Sequence, residues 1–513
     1  MSEPHDDPDA GAATPPPGHD APDDSLPASR WRPLPRRRQA VPPDPAPGAA
    51  SVIAAVMRQR IVAQGREPRR LAELYLDEHR MHGRPAIVRW AGSWWRFDAG
   101  RFRLFDDEQF RADVWRVLDR VDIELTAKNG EIEYVPLAIK SSLVSNVADA
   151  LCSIAPSLHG DAPQWIDRTF RDPDPVHLVP CRNGILDMRE RELLAMTARM
   201  FATTMVASPW LKRPQPCPLW LNFLNQLWGD DVESIQVLQE LFGYLLTTDT
   251  SLQKLFALIG PPRSGKGTIA RVLKALLGDE AVVNPTLTGL DERFGLAPLI
   301  GKSLAILGDA RIGPRTDQTK VVERLLSLSG EDPLTIELKF KDSVTVRLRT
   351  RVLLISNEVP RLYDASGALT SRFIVLRMTR SFLGEEDTQL EAKLAAELPG
   401  IFQWAVAGWE SLRARGRFVQ PAASADAIAD FEAIGAPHVL FVREMCIVGG
   451  DQQVAVQDLY ERWKTWCEAS GREPGNRERL GAEIKAVCPH VTVVQRQRGD
   501  GKRYRAYQGI GLA

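Results

Sequence analysis

Apolar positions along the chain follow two periods, and the switches between them mark the elements. Residues 51–64 (SVIAAVMRQRIVAQ) and 69–81 have helical spacing. Residues 86–105 (AIVRWAGSWWRFDAGRFRLF) alternate with period two, with glycines at the turns, and predict an antiparallel meander. Helical spacing returns at 107–121 and 143–155. Asn183-Gly184 is a turn signal between apolar stretches, and helices follow at 217–229 and 232–247. The four short apolar runs 255–259, 304–307, 352–355 and 373–376 have no polar face. Runs of that kind are strands buried on both sides of a parallel sheet. Residues 329–349 read as a hairpin with a basic-aromatic-basic tip or flank at Lys339-Phe340-Lys341. A helix is expected over 400–418, a linker helix of small residues over 421–437, and helices over 454–471 and 476–489. A strand, a Gly-Asp-Gly turn and a second strand close the chain over 491–510.

Residues 1–50 carry no such pattern. Thirteen of them are proline, and the first 24 hold seven acids and no lysine or arginine. A segment of that kind buries too little apolar surface to offset its ordering entropy, so a disordered tail is expected. Five arginines follow, at 30, 32, 36, 37 and 38, leaving open a weak electrostatic tether. The cluster Trp90, Trp94, Trp95 and Phe97 is read as a small sheet core, with a base-stacking platform as the alternative.

Composition narrows the classes. Over 513 residues, Lys plus Arg (65) balances Asp plus Glu (66), for a net charge of −1, which excludes a uniformly basic nucleic-acid coat. Six scattered cysteines form no CxxC pair, so zinc-ribbon and thioredoxin-type readings fail. No apolar run is long enough for a membrane span and no secretory h-region opens the chain, so a cytoplasmic protein is expected. The neutral sum conceals a region over 477–505 with eight basic residues against three acids.

Residues 254–277 carry the most specific signal. A buried strand runs into Gly260-Pro261-Pro262-Arg263-Ser264-Gly265-Lys266-Gly267-Thr268 and then into an apolar-striped helix. Strand, glycine loop and helix are the context of a phosphate-binding loop, in which backbone amides, the helix N-terminus and the lysine all face an anion. The usual Ser or Thr after the lysine is Gly267 here, with Thr268 next. Downstream, Asp309 ends a buried strand, where a carboxylate holds Mg²⁺ and polarises water. Asn357 ends another strand, and Arg372 stands immediately before a third. An arginine there is placed to reach a neighbouring subunit's γ-phosphate.

In this order NGILDM (183–188), GPPRSGKGT (260–268), LAILGDAR (304–311), SGEDPLTIELKFK (329–341), LLISNEVP (353–360) and LTSRFIVL (369–376) resemble superfamily 3 helicases. The likeness is greatest to the helicase part of phage and plasmid primase–helicases, related to the poxvirus primase–helicase. The resemblance spans roughly residues 175–513. It implies an α/β fold: an AAA+ P-loop NTPase core preceded by an α+β region and followed by a winged helix. The expected divisions are a tail (1–50), an N-terminal α+β domain (51–215), the ATPase domain with lead-in helices (216–425) and a winged helix (438–513). ATP and Mg²⁺ are the implied cofactors. Lys266 and Thr268 belong to the loop motif, with Thr268 and Asp309 toward the metal. Asn357 is the implied sensor and Arg372 the finger. Lys339 and Lys341 match the hairpin that tracks single-stranded DNA. Arg496, Arg498, Lys502 and Arg503, with Tyr504 and Tyr507 among them, suit phosphate contacts on the wing. The implied partners are single-stranded or forked DNA, further copies in a hexamer, and a separate primase or replication initiator; no membrane is involved. An ATP-using initiator or loader and a small-molecule P-loop kinase stand as alternatives. Between the tail and the resemblance lie about 125 residues expected to fold, with no paired strand-end carboxylates, so no primer synthesis is expected.

Overall fold

The structure is a computed structural model. It describes residues 60–81, 83–308, 317–360, 362–364, 367–469, 472–497, 499 and 501–513. The expected tail over 1–50, Asp309 and Arg498 lie outside the described residues.

The four apolar runs form strands of one five-stranded parallel sheet, whose order is Val282–Val283, Leu304–Gly308, Arg351–Ser356, Leu255–Ile259 and Phe373–Arg377. Side chains alternate across the sheet. Phe256 and Leu258 enter one core with the helices Pro218–Trp228, Val232–Leu246, Lys266–Leu277 and Leu398–Arg415. Leu255, Ala257 and Ile259 enter a second core with Gln318–Gly330 and Ala425–Gly435. Helices thus cover both faces, which is why these strands have no polar face. The helices Val232–Leu246 and Leu398–Arg415 press together through two glycines. A Cβ on Gly243 would stand 2.3 Å from the Ala405 carbonyl, and one on Gly408 would stand 2.2 Å from that of Gln239. The same contact buries Glu240, which pairs with Arg415.

Upstream, the meander forms as expected from Ile87–Trp90, Ser93–Asp98 and Arg101–Phe105. Trp90, Trp94 and Trp95 are each 5% exposed, so the aromatic cluster is core and the stacking platform is excluded. The helix expected over 51–64 is corrected where it is described: Ile61–Ala63 is a strand, parallel to Val121–Ile123. The β-branched pair Ile61-Val62 suits an extended edge, the Ile61 amide bonds to the Arg120 carbonyl (2.8 Å), and Arg60 pairs with Asp122. Long-range pairing prevails over a helical period that was only local.

At the other end, the helix Pro437–Met445 leads into the strand Cys446–Ala455, the helices Val456–Ala469 and Arg477–Val487, and the strands Thr492–Gln497 and Arg503–Leu512. The last strand lies between the other two. The strand Cys446–Ala455 was not expected. Its pairing with the last strand shifts register between Val448 and Gln453, around Gly449-Gly450-Asp451. Consequently Val454 and Ala455 are strand, not the start of a helix. Tyr507 is also corrected: it is 4% exposed and packs with Leu480, Ile484 and Ile510, so it is no phosphate contact. No described helix is long and apolar enough to cross a membrane.

Candidate functional site

The strand Leu255–Ile259 ends at Gly260, whose amide bonds to the Ser356 carbonyl (3.3 Å). A Cβ here would stand 2.4 Å from the Met378 carbonyl, so only glycine allows the chain to turn. Arg263 (φ +59°) and Gly265 (φ +88°) then curl the loop into the helix Lys266–Leu277. That helix has no side-chain cap. The first amides of a helix have no intrahelical acceptor, and they stand under the positive end of the dipole. An anion is the group such an end accepts.

Lys266 is 7% exposed. Its ammonium donates to the carbonyls of Gly260 and Pro261 (2.7 Å each) and to Ser264 Oγ (3.0 Å). It has no carboxylate partner among the described residues, and burial pulls its pKa down. Thr268 Oγ1 accepts from Arg271 (3.2 Å), which also pairs with Glu391 (2.9 Å). A side chain at Gly267 would sit 3.3 Å from the same guanidinium. The segment after Met378 straps the loop from outside. Ser381 Oγ donates to the Pro262 carbonyl and the Phe382 amide to that of Arg263 (2.9 Å each), and Arg263 pairs with Glu386 (3.5 Å). Sequence reasoning missed this strap and Arg271. The strap has no local signature; Arg271 was findable as a basic residue one turn beyond Lys266 in the same helix.

The parallel sheet decides which other residues share this edge. Ser356 is level with Ile259, so the exposed Asn357 leaves its strand beside the start of the loop. Gly308 is level with Ile355, one strand further out. Arg372 is not brought to this edge. It precedes Phe373, which is level with Leu255 at the opposite end of the loop strand, about 16 Å away at 3.3 Å per residue. There its guanidinium donates to the Leu326 carbonyl and to Ser329 Oγ (2.8 Å), at the end of the helix Gln318–Gly330.

The hairpin forms from Pro333–Leu338 and Lys341–Arg347. Its tip presents Phe340, 93% exposed at φ +61°, with the Lys339 ammonium 5.0 Å from the ring centroid. Lys341 behaves differently. It is half-buried against the meander, donating to Asp107 (3.0 Å) and Ser93 Oγ (3.4 Å). Gly92 makes the approach feasible: a Cβ there would stand 2.9 Å from Val344. Near the C-terminus, Arg496, Lys502 and Arg503 are exposed, and Arg496 donates to Gln508 (3.3 Å). Arg479 is exposed but already paired, donating to Glu483 (2.8 Å) and lying over the Tyr363 ring (4.9 Å).

Residues 258–372, under a quarter of the chain, match a family of unknown function, DUF5906. That stretch begins in the loop strand and ends at Arg372, so it spans the loop, the hairpin and Asn357. Most of the chain also aligns with solved structures titled as the apo C-terminal region of NrS-1. One has 14% identity, covers 87% of this chain and all of that one, and gives a TM-score of 0.49. Others have 13% identity, cover 87% and 86% of this chain, and give TM-scores of 0.43 and 0.44.

Proposed function

We propose that the chain is an ATP-dependent DNA helicase of the superfamily 3 type, acting in replication of a phage, plasmid or integrated element. The observation that carries this reading is the loop edge: an uncapped helix N-terminus, a buried lysine without a carboxylate partner among the described residues, and Asn357 on the adjoining strand. In this reading the region is a P-loop core. The amides of residues 265–268 and Lys266 hold the triphosphate, and Lys266 exchanges its loop carbonyls for phosphate oxygens. Thr268 and Asp309 hold Mg²⁺, which neutralises phosphate charge when bound. Asn357 orients the attacking water. Arg372 lies at the far edge of its own sheet, so it serves the loop of another copy, and the active form is a ring, a hexamer by the resemblance.

Lys339 and Phe340 contact single-stranded DNA, the aromatic ring by stacking and the lysine by charge. The C-terminal elements run helix, strand, helix, helix, strand, strand, which is the order of a winged helix. Arg496, Lys502 and Arg503 then grip phosphates.

Lys266→Ala tests the reading. Loss of at least a hundredfold in ATP hydrolysis, and of strand displacement on a forked duplex, is expected. A variant that still unwinds at the wild-type rate refutes it. ATPase activity without any strand displacement by the wild type would make the chain an initiator or loader.

A further inference from the structure

The hairpin's stem, not only its tip, borders a groove. It has a volume of about 450 Å³ and runs between Thr345–Arg347 on the stem and, opposite, the meander (Arg89, Gly92) and the loop 157–161 that follows the helix Ser141–Ile154. Two backbone bonds fix the loop: the Arg89 amide to the Pro156 carbonyl and the Leu158 amide to the Arg89 carbonyl (2.8 Å each). Trp90 Nε1 also donates to the Gly160 carbonyl (2.9 Å). The far wall, made by the stem, is held at contact distance by Gly92.

The charge in this groove is uneven. Its one acid, Asp161, is shared by two arginines, Arg349 at 2.7 Å and Arg347 at 3.6 Å. Arg347 Nε is buried without an acceptor among the described residues. Arg89 has no carboxylate partner among them either, and its guanidinium lies 5.5 Å from the Trp94 ring centroid. His159 is exposed at the mouth. Two lining arginines from different elements, Arg89 and Arg347, therefore face one carboxylate, Asp161, which is shared with Arg349, itself also paired with Glu331 (2.9 Å). Cationic side chains on both walls fit a phosphodiester backbone lying along the groove, and they do not favour an apolar small molecule.

The geometry points to a second contact for single-stranded DNA: the strand passing the Lys339-Phe340 tip continues along the stem, with its phosphates on Arg89 and Arg347. This deepens the proposed function and rests on the tip contacting DNA. It gives the meander a task, as the other wall of the strand's path.

The test is binding of a labelled oligothymidylate to the full-length chain, measured across a salt series. Arg89→Ala/His159→Ala is expected to weaken binding roughly tenfold, the loss of one or two charge-assisted hydrogen bonds. The slope of log K on log salt should become shallower by about 0.7 for each phosphate contact removed. Arg89→Lys should retain most of the affinity. Thr345→Glu, which leaves Arg89 and its ring contact intact, should weaken binding as well. If both groove variants bind as the wild type does while Lys339→Ala/Phe340→Ala binds weakly, the groove is refuted and the hairpin reading stands. If the wild type itself does not bind the oligonucleotide, the DNA reading fails and the groove fails with it.

Discussion

The molecule has two basic hairpins, and they hold their charge in different ways. In the hairpin Pro333–Arg347, Lys341 is tied to Asp107 and Ser93, and the tip is left to Lys339 and Phe340. In the C-terminal pair Thr492–Gln497 and Arg503–Leu512, Arg496 has only a neutral partner, Gln508, among the described residues, and Arg503 stands exposed. The first is a clasped element with one aromatic point; the second is an open charged surface. Counting Lys and Arg therefore does not measure what is available to a phosphate. Lys341 and Arg479 counted as basic in the sequence, and each is already paired with an acid.

Phe340→Ala with Lys339→Ala should lower single-stranded DNA affinity by about 2 to 3 kcal/mol, given roughly 1 to 3 for one stacked base. It should also abolish DNA stimulation of ATP hydrolysis; an oligonucleotide titration of both quantities checks this. Next in size, Arg496→Ala with Arg503→Ala should weaken duplex or forked DNA and flatten the salt slope by about 0.9 per lost contact, equally for unrelated sequences. Sequence-dependent losses would mean that this surface reads bases. Asp107→Asn should act in the opposite direction. Releasing Lys341 should raise single-stranded affinity about two- to threefold at low salt, on the scale of a surface ion pair, and the gain should vanish at high salt.

The smallest effect is a pH dependence on the clasped side. Asp113 lies on the same helix as Asp107 and is bonded to His79, Tyr75 and Arg116 (2.8 Å each). Burial raises its pKa, but the His79 and Tyr75 hydrogen bonds and the Arg116 charge outweigh it, and the net value falls below 3.8. A depressed carboxyl stabilises the fold above the ordinary value and loses that contribution as pH falls through the lowered one. Thermal melts below about pH 4 should therefore show a destabilisation that Asp113→Asn reduces.

Legibility in the sequence followed how local each cause was. The glycine loop was readable because Gly260, Gly265 and Lys266 act within nine residues, and the core strands because burial on both faces leaves no polar period. The meander's turns were legible in its glycines. What failed depended on distant partners. Ile61–Ala63 is a strand only because Val121–Ile123 lies beside it. Cys446–Ala455 is one because the chain's last strand pairs across its glycines. Tyr507 stood among basic residues in sequence yet faces the core. Lys341 meets an acid 234 residues away. The position of Arg372 before its strand was readable, but its bonds to Leu326 and Ser329 were not.

The loop and Arg372 occupy opposite ends of the same strand pair. If one copy's arginine completes another copy's loop, the two surfaces that meet are different ones. The contact is then heterologous and cannot be satisfied by a two-fold dimer. Such contacts continue from copy to copy until the rotation closes a ring, or they propagate as a filament. A chain disabled at one edge only would still accept a neighbour at the other and end the series. Mixing Arg372→Ala protein into the wild type should therefore depress activity by more than its share of the chains.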